Sequence, residues 1–353
     1  MGVWYCTRED VKQALDFAET ARSDARVDRA IEGASRDAER VLHRKFYPWT
    51  GTRYFPWPDP AYRTAWRLWL DADELISVTV LSAGGTTIGI SGYYLEPANT
   101  GPPYTSIEIN LASQSAFATG STHQRDIAVT GVFGYAADES PVGLLAEALD
   151  ASETGVDVTD SASVGVGTLI RVGTERMSVT GKTMLDTGQN LASPLTASTA
   201  DVTVAVATGS AYTVGETLLL DSERMLVVDV AGNNLTVKRA YDGSVLAAHT
   251  GSDIYAPRTL TVERGALGTT AETHLTAAAV TRHVVPGPVR SLVLAEAVNQ
   301  VLQESGGYSR TVGAGSAAQT TQGTARSAGG AGLPDIREQA YTACGRKARI
   351  RAV

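Results

Sequence analysis

Residues 24–57 hold the longest uninterrupted helical period in the chain, and it breaks into an aromatic, strand-like exit. At about 100° per residue, Val27, Ala30, Ile31, Ala34, Ala38, Val41 and Leu42 fall on one stripe, which predicts a helix packed on a core. The other positions are sorted by sign. Arg22, Arg26, Arg29, Arg36, Arg40 and Arg44 gather on one flank, and Asp24, Asp28, Glu32 and Glu39 on the other. A solvated surface helix accounts for this arrangement. So does a ring of identical neighbours, in which the flank holding Arg36, Arg40 and Arg44 meets an acidic flank such as Asp28, Glu32 and Glu39 of the next copy.

Upstream, residues 7–19 open with a capping Thr7 and place Val11, Leu15 and Ala18 at helical spacing, predicting a short first helix. Downstream, YPWTGTRYFPWPDP carries four prolines, which excludes helix and favours extended chain with corners. Alternating runs at 66–70, 75–81, 93–96, 106–111 and 126–133 predict antiparallel strands, with Ala83, Gly84, Gly85 and Thr86 as a hairpin turn. The helical period returns after Gly287 and Pro288, where Val289, Leu292, Val293, Ala297, Val298, Val301 and Leu302 form a wide apolar face.

Residues 157–285 are rich in Val, Thr, Gly and Ala, and they repeat. VGTLIRVGTERM (166–177) aligns without gaps on VGETLLLDSERM (214–225), and LTVKRAYDGSVLAAH (235–249) on LTVERGALGTTAETH (260–274). The two front halves precede the two back halves, and the separations differ, 48 residues for the fronts and 25 for the backs. Tandem duplication would give a single separation, so the order predicts nesting. One β module, 157–182 plus 258–285, is interrupted by a second copy, 200–256, which grows from a loop tip whose ends lie close together. The adaptor core is then 1–140 plus 286–305. A Gly/Ser/Ala/Thr tract at 306–334 reads as a flexible linker, and 335–353 as a C-terminal helix with Arg346, Lys347, Arg349 and Arg351 at its end. The expected class is α+β: a helical adaptor domain with a small antiparallel sheet, plus two small all-β modules, one nested inside the other.

Composition removes several functions. A net charge of −8 argues against a protein whose main task is to grip nucleic acid. The sequence lacks an apolar run long enough to span a membrane and a signal-like start, so a soluble, unsecreted chain is expected. Cys6 and Cys344 lie near opposite ends without metal-type spacing. His249 and His274 occupy one slot of the two repeats, which predicts a repeated structural hydrogen bond. Glu175 and Glu223, each in an ERM triplet, stand beside Arg264 and Arg239. A glycosidase needs two carboxylates in one cleft, whereas one Glu per repeat next to an Arg predicts a salt bridge that fixes the fold. No nucleophile elbow, P-loop, zinc helix or dinucleotide motif appears, so neither enzyme activity, metal nor cofactor is expected. Tyr47, Trp49, Tyr54, Phe55, Trp57, Tyr62, Trp66 and Trp69 are read as core or interface, with a stacking platform as the other option.

These pieces together resemble a head-to-tail connector, or head completion protein, of a long-tailed bacteriophage. The resemblance covers about 200 residues: the short and long helices, the FYPW exit, the sheet ending in VTGVFGYA, the AEAVNQVL helix and the detached basic tail. It implies a homo-oligomeric ring of twelve copies at the virion neck, assembled in the host cytoplasm. Such a ring has the portal protein above it and a neck or tail-terminator protein below, and genomic DNA passes through its lumen without sequence-specific binding. No membrane is involved. Family members hold the portal with a C-terminal segment, which here is 335–353 and includes Ile336, Tyr341, Arg346, Lys347, Arg349, Ile350 and Arg351. A carbohydrate-binding or adhesive β-repeat protein on a helical base is the alternative.

Overall fold

The computed structural model describes residues 2–18, 21–58, 65–305 and 332–346. Among the described residues four α-helices form the base: α1 (Arg8–Ala14), α2 (Asp24–Leu42), α3 (Gly287–Ser305) and α4 (Leu333–Cys344). Thr7 caps α1 in a reciprocal box with Asp10. α2 stops where His43 turns left-handed, at φ 53°. The stripe on α2 is buried against α3, and α4 lies on both. Trp4, Tyr5, Phe46 and Tyr47 complete this core, with Tyr5 and Phe46 edge to face at 5.7 Å.

Among the described residues there are seventeen strands, and several of them, such as β7 and β16, bury alternate positions. β1 (Trp49–Phe55), β2 (Arg67–Trp69), β3 (Leu75–Ala83), β4 (Thr86–Ile88), β5 (Tyr93–Glu96), β6 (Ser106–Ile109) and β7 (Ile127–Phe133) make two antiparallel sheets, ordered β1-β7-β3-β4 and β2-β6-β5. Alternate residues such as Ile127, Val129 and Phe133 face inward, and the sheets enclose a second core. The strands β8 (Glu139–Leu144), β9 (Gly155–Asp157), β10 (Leu169–Val172), β11 (Glu175–Asn190), β12 (Thr203–Ala205), β13 (Thr217–Leu220), β14 (Glu223–Ala231), β15 (Asn234–Lys238), β16 (Asp253–Glu263) and β17 (Ala279–His283) form a single antiparallel sheet. Its order is β12-β15-β14-β13-β16-β11-β10-β17-β8, with β9 beside β16.

This corrects the expected class. With 35% strand against 23% helix and a ten-stranded sheet as the largest unit, the protein is mainly β, not a helical adaptor with a small sheet and separate small modules. The physical reason lies in β11 and β16. Each runs through both repeats, and their ladder continues from Lys182↔Leu260 to Leu185↔Ala256. The two repeats therefore share hydrogen-bonded strands while keeping separate apolar cores, one around Ile170, Met177 and Leu260, the other around Leu218, Met225 and Ile254. The outer unit also starts before residue 157, because β8 pairs β17, and Leu145 bridges Val158.

Candidate functional site

The densest ionisable chemistry sits in two copies of one buried constellation. In the nested repeat, Glu223 opens β14 and Arg239 follows β15. Arg239 Nε donates to Glu223 Oε1 at 2.7 Å and Nη2 to Oε2 at 2.8 Å, a two-pronged pairing between side chains that are 1% and 0% exposed. The Ala240 and Ala247 amides and His249 Nε2, at 3.0 Å, fill the rest of the carboxylate. Arg239 spends its other N–H groups on the carbonyls of Thr196, Asp201 and Ala247, so its five donors are all used.

The outer repeat reproduces the set. Arg264 Nε and Nη2 reach Glu175 at 2.7 and 2.8 Å, the Gly265 and Glu272 amides donate to the same carboxylate, and His274 Nε2 lies 2.9 Å away. Arg264 also binds the carbonyls of Asp150, Glu153 and Glu272. Burial pushes both glutamates upward, but the arginine, histidine and amide donors outweigh it and hold each carboxyl at about 2. Each constellation is a closed latch: its acceptors are filled, its arginine is spent, and the two glutamates open strands whose methionines, Met177 and Met225, lie in different cores. Neither is a carboxylate pair in a cleft.

A third pair escaped the sequence reading. Arg258 grips Glu216 at 2.8 and 2.7 Å, with Glu216 0% exposed on its side chain, and also donates to the Ala211 carbonyl. It sits at the point where β16 passes from one repeat to the other. The repeat spacing places Thr168 and His283 at the matching outer positions. His283 Nε2 donates to the Phe46 carbonyl at 2.7 Å, and burial holds its imidazole below the usual histidine range. One repeat offset thus ties nested to outer module, and the other ties outer module to base. The signal was the mismatch between otherwise aligned copies.

The proposed ring residues are largely used inside the chain. Asp28 pairs with Arg8 at 2.6 Å, Glu32 accepts from Trp4 Nε1 at 2.6 Å, and Glu39 accepts from the Tyr5 hydroxyl at 2.7 Å. Arg36 pairs with Glu39 and donates to the Val3 carbonyl. Arg44 holds Glu74 at 3.0 Å and the Cys344 carbonyl at 2.7 Å. The acidic flank is therefore bonded to the N-terminal segment. Arg40 is the most exposed of the three arginines, its side chain 76% exposed, and it pairs with Asp37 at 3.1 Å.

The C-terminal helix also departs from expectation. It is not a detached peptide: Ala340 and Cys344 are buried, Ile336 packs on the helical core, and Arg337 pairs with Glu296 at 2.7 Å. Tyr341 is half-exposed, while Arg346 donates its amide to Leu42 and its side chain to the Asp71 carbonyl. Lys347, Arg349, Ile350 and Arg351 lie outside the described residues, as does 306–331 of the expected linker. Trp49, Trp57 and Trp66 pack against the second core, and Arg67 stacks on both Trp66 and Trp69. Tyr54 is exposed, and Tyr62 lies outside the described residues.

A groove of about 780 Å³ opens at the C-terminal end of α2, between Arg36, Arg40, His43, Arg44, Lys45 and Arg53 on one side of the balance and Glu39, Asp73 and Glu74 on the other. Among the described residues no group of three or more His, Cys, Asp or Glu is placed to hold a metal ion, and no helix is long and apolar enough to cross a membrane. No family model, curated protein or solved structure matches the chain.

Proposed function

We propose that the chain is a structural assembly subunit, and that its setting is the ring between portal and tail at the neck of a long-tailed phage. The observation that carries the structural reading is the closure of the two latches. The residues best suited to acid–base work are buried, filled with donors and repeated once per β module, as a scaffold requires and a reacting centre does not. The neck setting rests on the order of pieces: a capped short helix, a long helix with the FYPW exit, a sheet ending in VTGVFGYA, and the AEAVNQVL helix. α2, α3 and α4 share one apolar core beneath the β arm. In this reading the continuous ten-stranded sheet is a stiff arm, and the base carries the contacts to neighbouring copies and neck proteins.

Imaging of particles that carry this chain with a gold-labelled tag on the nested module tests the setting. Label confined to the neck supports it; label on tail fibres or capsid faces rejects it.

A further inference from the structure

Contacts between the β arm and the helical base include the Arg8 amide on the Val166 carbonyl at 3.1 Å and the Val166 amide on the Glu9 carboxylate at 2.8 Å. Arg176 reaches the Thr50 hydroxyl at 2.7 Å, and His283 Nε2 the Phe46 carbonyl at 2.7 Å. Of the side chains in these contacts, the imidazole is the one whose ordinary range lies near neutral pH. It also stands at the hinge itself, as the last residue of β17, just before α3.

His283 is 9% exposed, and Phe46, which accepts from it, is 0% exposed within the helical core. Nδ1 is buried and lacks a hydrogen-bond partner. A neutral ring with its hydrogen on Nε2 satisfies Phe46 and leaves Nδ1 only as an unfilled acceptor. An imidazolium would add a second N–H and a full charge in a buried place, where the neighbouring Asp138 carbonyl already accepts from the Val284 amide at 2.8 Å.

The carboxylates that act on the ring are Glu139, its partner across the β8–β17 ladder, and Asp138. Both favour the imidazolium, but Glu139 is committed to Arg171 at 2.6 Å and to the Thr281 hydroxyl at 2.7 Å. From the base, Phe46 brings its backbone, with the Tyr5 hydroxyl on its amide and Lys45 beside it in sequence. Arg282 on β17 and Arg290 on α3 line the same groove of about 730 Å³ and offer no acceptor. Burial outweighs the carboxylates and the backbone, and it holds the imidazole below the usual histidine range.

We propose that His283 is an acid-sensitive fastener, whose protonation loosens the seat of the β arm on the helical base while both β modules stay folded. Unseated, the ring is in water and titrates at roughly 6.5; seated, it holds its proton less tightly. The seated state therefore keeps the full contribution of this contact above roughly pH 6.5 and loses it as pH falls from there toward the seated value. The latches answer in a lower window, because their carboxyls lie at about 2. Mild acid reaches the joint first.

The test is amide exchange of the full chain by NMR, expressed as protection relative to the intrinsic rate at each pH. Between about pH 7.5 and about pH 5, protection at the Arg8 and Val284 amides should fall, by at most about tenfold per pH unit, the limit for one linked proton. The latch amides of Ala240, Ala247, Gly265 and Glu272 should hold, and the His283 ring nitrogens should titrate with the same midpoint as the fall. His283→Gln, whose side-chain amide can still donate to Phe46 but does not titrate, should remove the pH dependence. Unchanged protection at Arg8 and Val284 in the wild type overturns the proposal, and so does equal loss at the latch amides, which is general acid unfolding. A loss that persists in His283→Gln assigns the effect to another group. Should that variant fail to fold, the wild type still decides, because a fall whose midpoint departs from that of the ring nitrogens excludes His283 as its cause.

Discussion

The outer and nested β modules carry the same latch, contact for contact, yet differ where each must meet something else. In the nested copy His249 is held on both sides, by Glu223 at 3.0 Å and by Asp221 at 2.7 Å. In the outer copy Gly173 stands at the place of Asp221, and both residues are left-handed, with φ of 58° and 51°. Likewise Glu216 and Arg258 join nested to outer module, where the matching outer position, His283, reaches the base. The shared residues close each module on itself; of the unshared ones, Asp221 adds a second hold on His249, while Glu216 with Arg258, and His283, attach one layer to the next. Stability and attachment are therefore separable, and substitutions should tell them apart.

The largest effect is expected from opening a latch. Arg239→Met leaves the Glu223 carboxylate buried without its cation, a loss of about 3–5 kcal/mol. Hydrogen exchange should rise across β12 to β15 while the Glu175 latch stays protected; Arg264→Met should reverse the pattern. Equal loss in both modules from either variant would show that the shared strands, not the latches, set local stability. Glu216→Gln keeps the acceptor but removes the charge facing Arg258, and should cost about 2–4 kcal/mol. It should loosen the nested module as a body, so a proteolytic cut near residues 184 or 257 is expected before any within β14.

Acid should act on both latches together. With carboxyls at about 2 in the folded chain and roughly 4.3 in the unfolded one, their contribution is fully present above roughly pH 4.3 and is lost as pH falls toward 2. Glu223→Gln should flatten the pH dependence of nested-module stability in that window, and an unchanged slope would remove the latch from acid unfolding. The smallest change is Asp221→Gly, which gives the nested copy the outer pattern. The lost contact from an exposed carboxylate and the relief of a left-handed backbone oppose each other, so denaturation should shift by less than about 1 kcal/mol.

Much of this was legible in the sequence. The stripe on α2, the cap at Thr7, the strand runs and the unequal repeat spacings rest on local periodicity or self-similarity, which a sequence displays directly. The ERM, Arg and His slots were readable as a repeated structural set for the same reason. Other features depend on distant pairing. β9 and β12 are three residues each, too short to show alternation. The fusion of both repeats into one sheet follows from the ladder between β11 and β16, which no local pattern reveals. A helical wheel sorts Asp28, Glu32 and Glu39 onto one flank but does not say what covers it, and here Trp4, Tyr5 and Arg8 do. The C-terminal helix misled for a related reason: a Gly-rich tract before it reads as detachment, while Ala340 and Cys344 show a face small enough to lie flat on α3.

The central claim is that this chain is an assembling subunit, and native mass spectrometry of the purified full-length protein at low salt addresses it most directly. The account predicts a closed oligomer of one defined copy number, with intermediates scarce. A monomer at every concentration, or an open ladder of sizes without a preferred number, would contradict a ring.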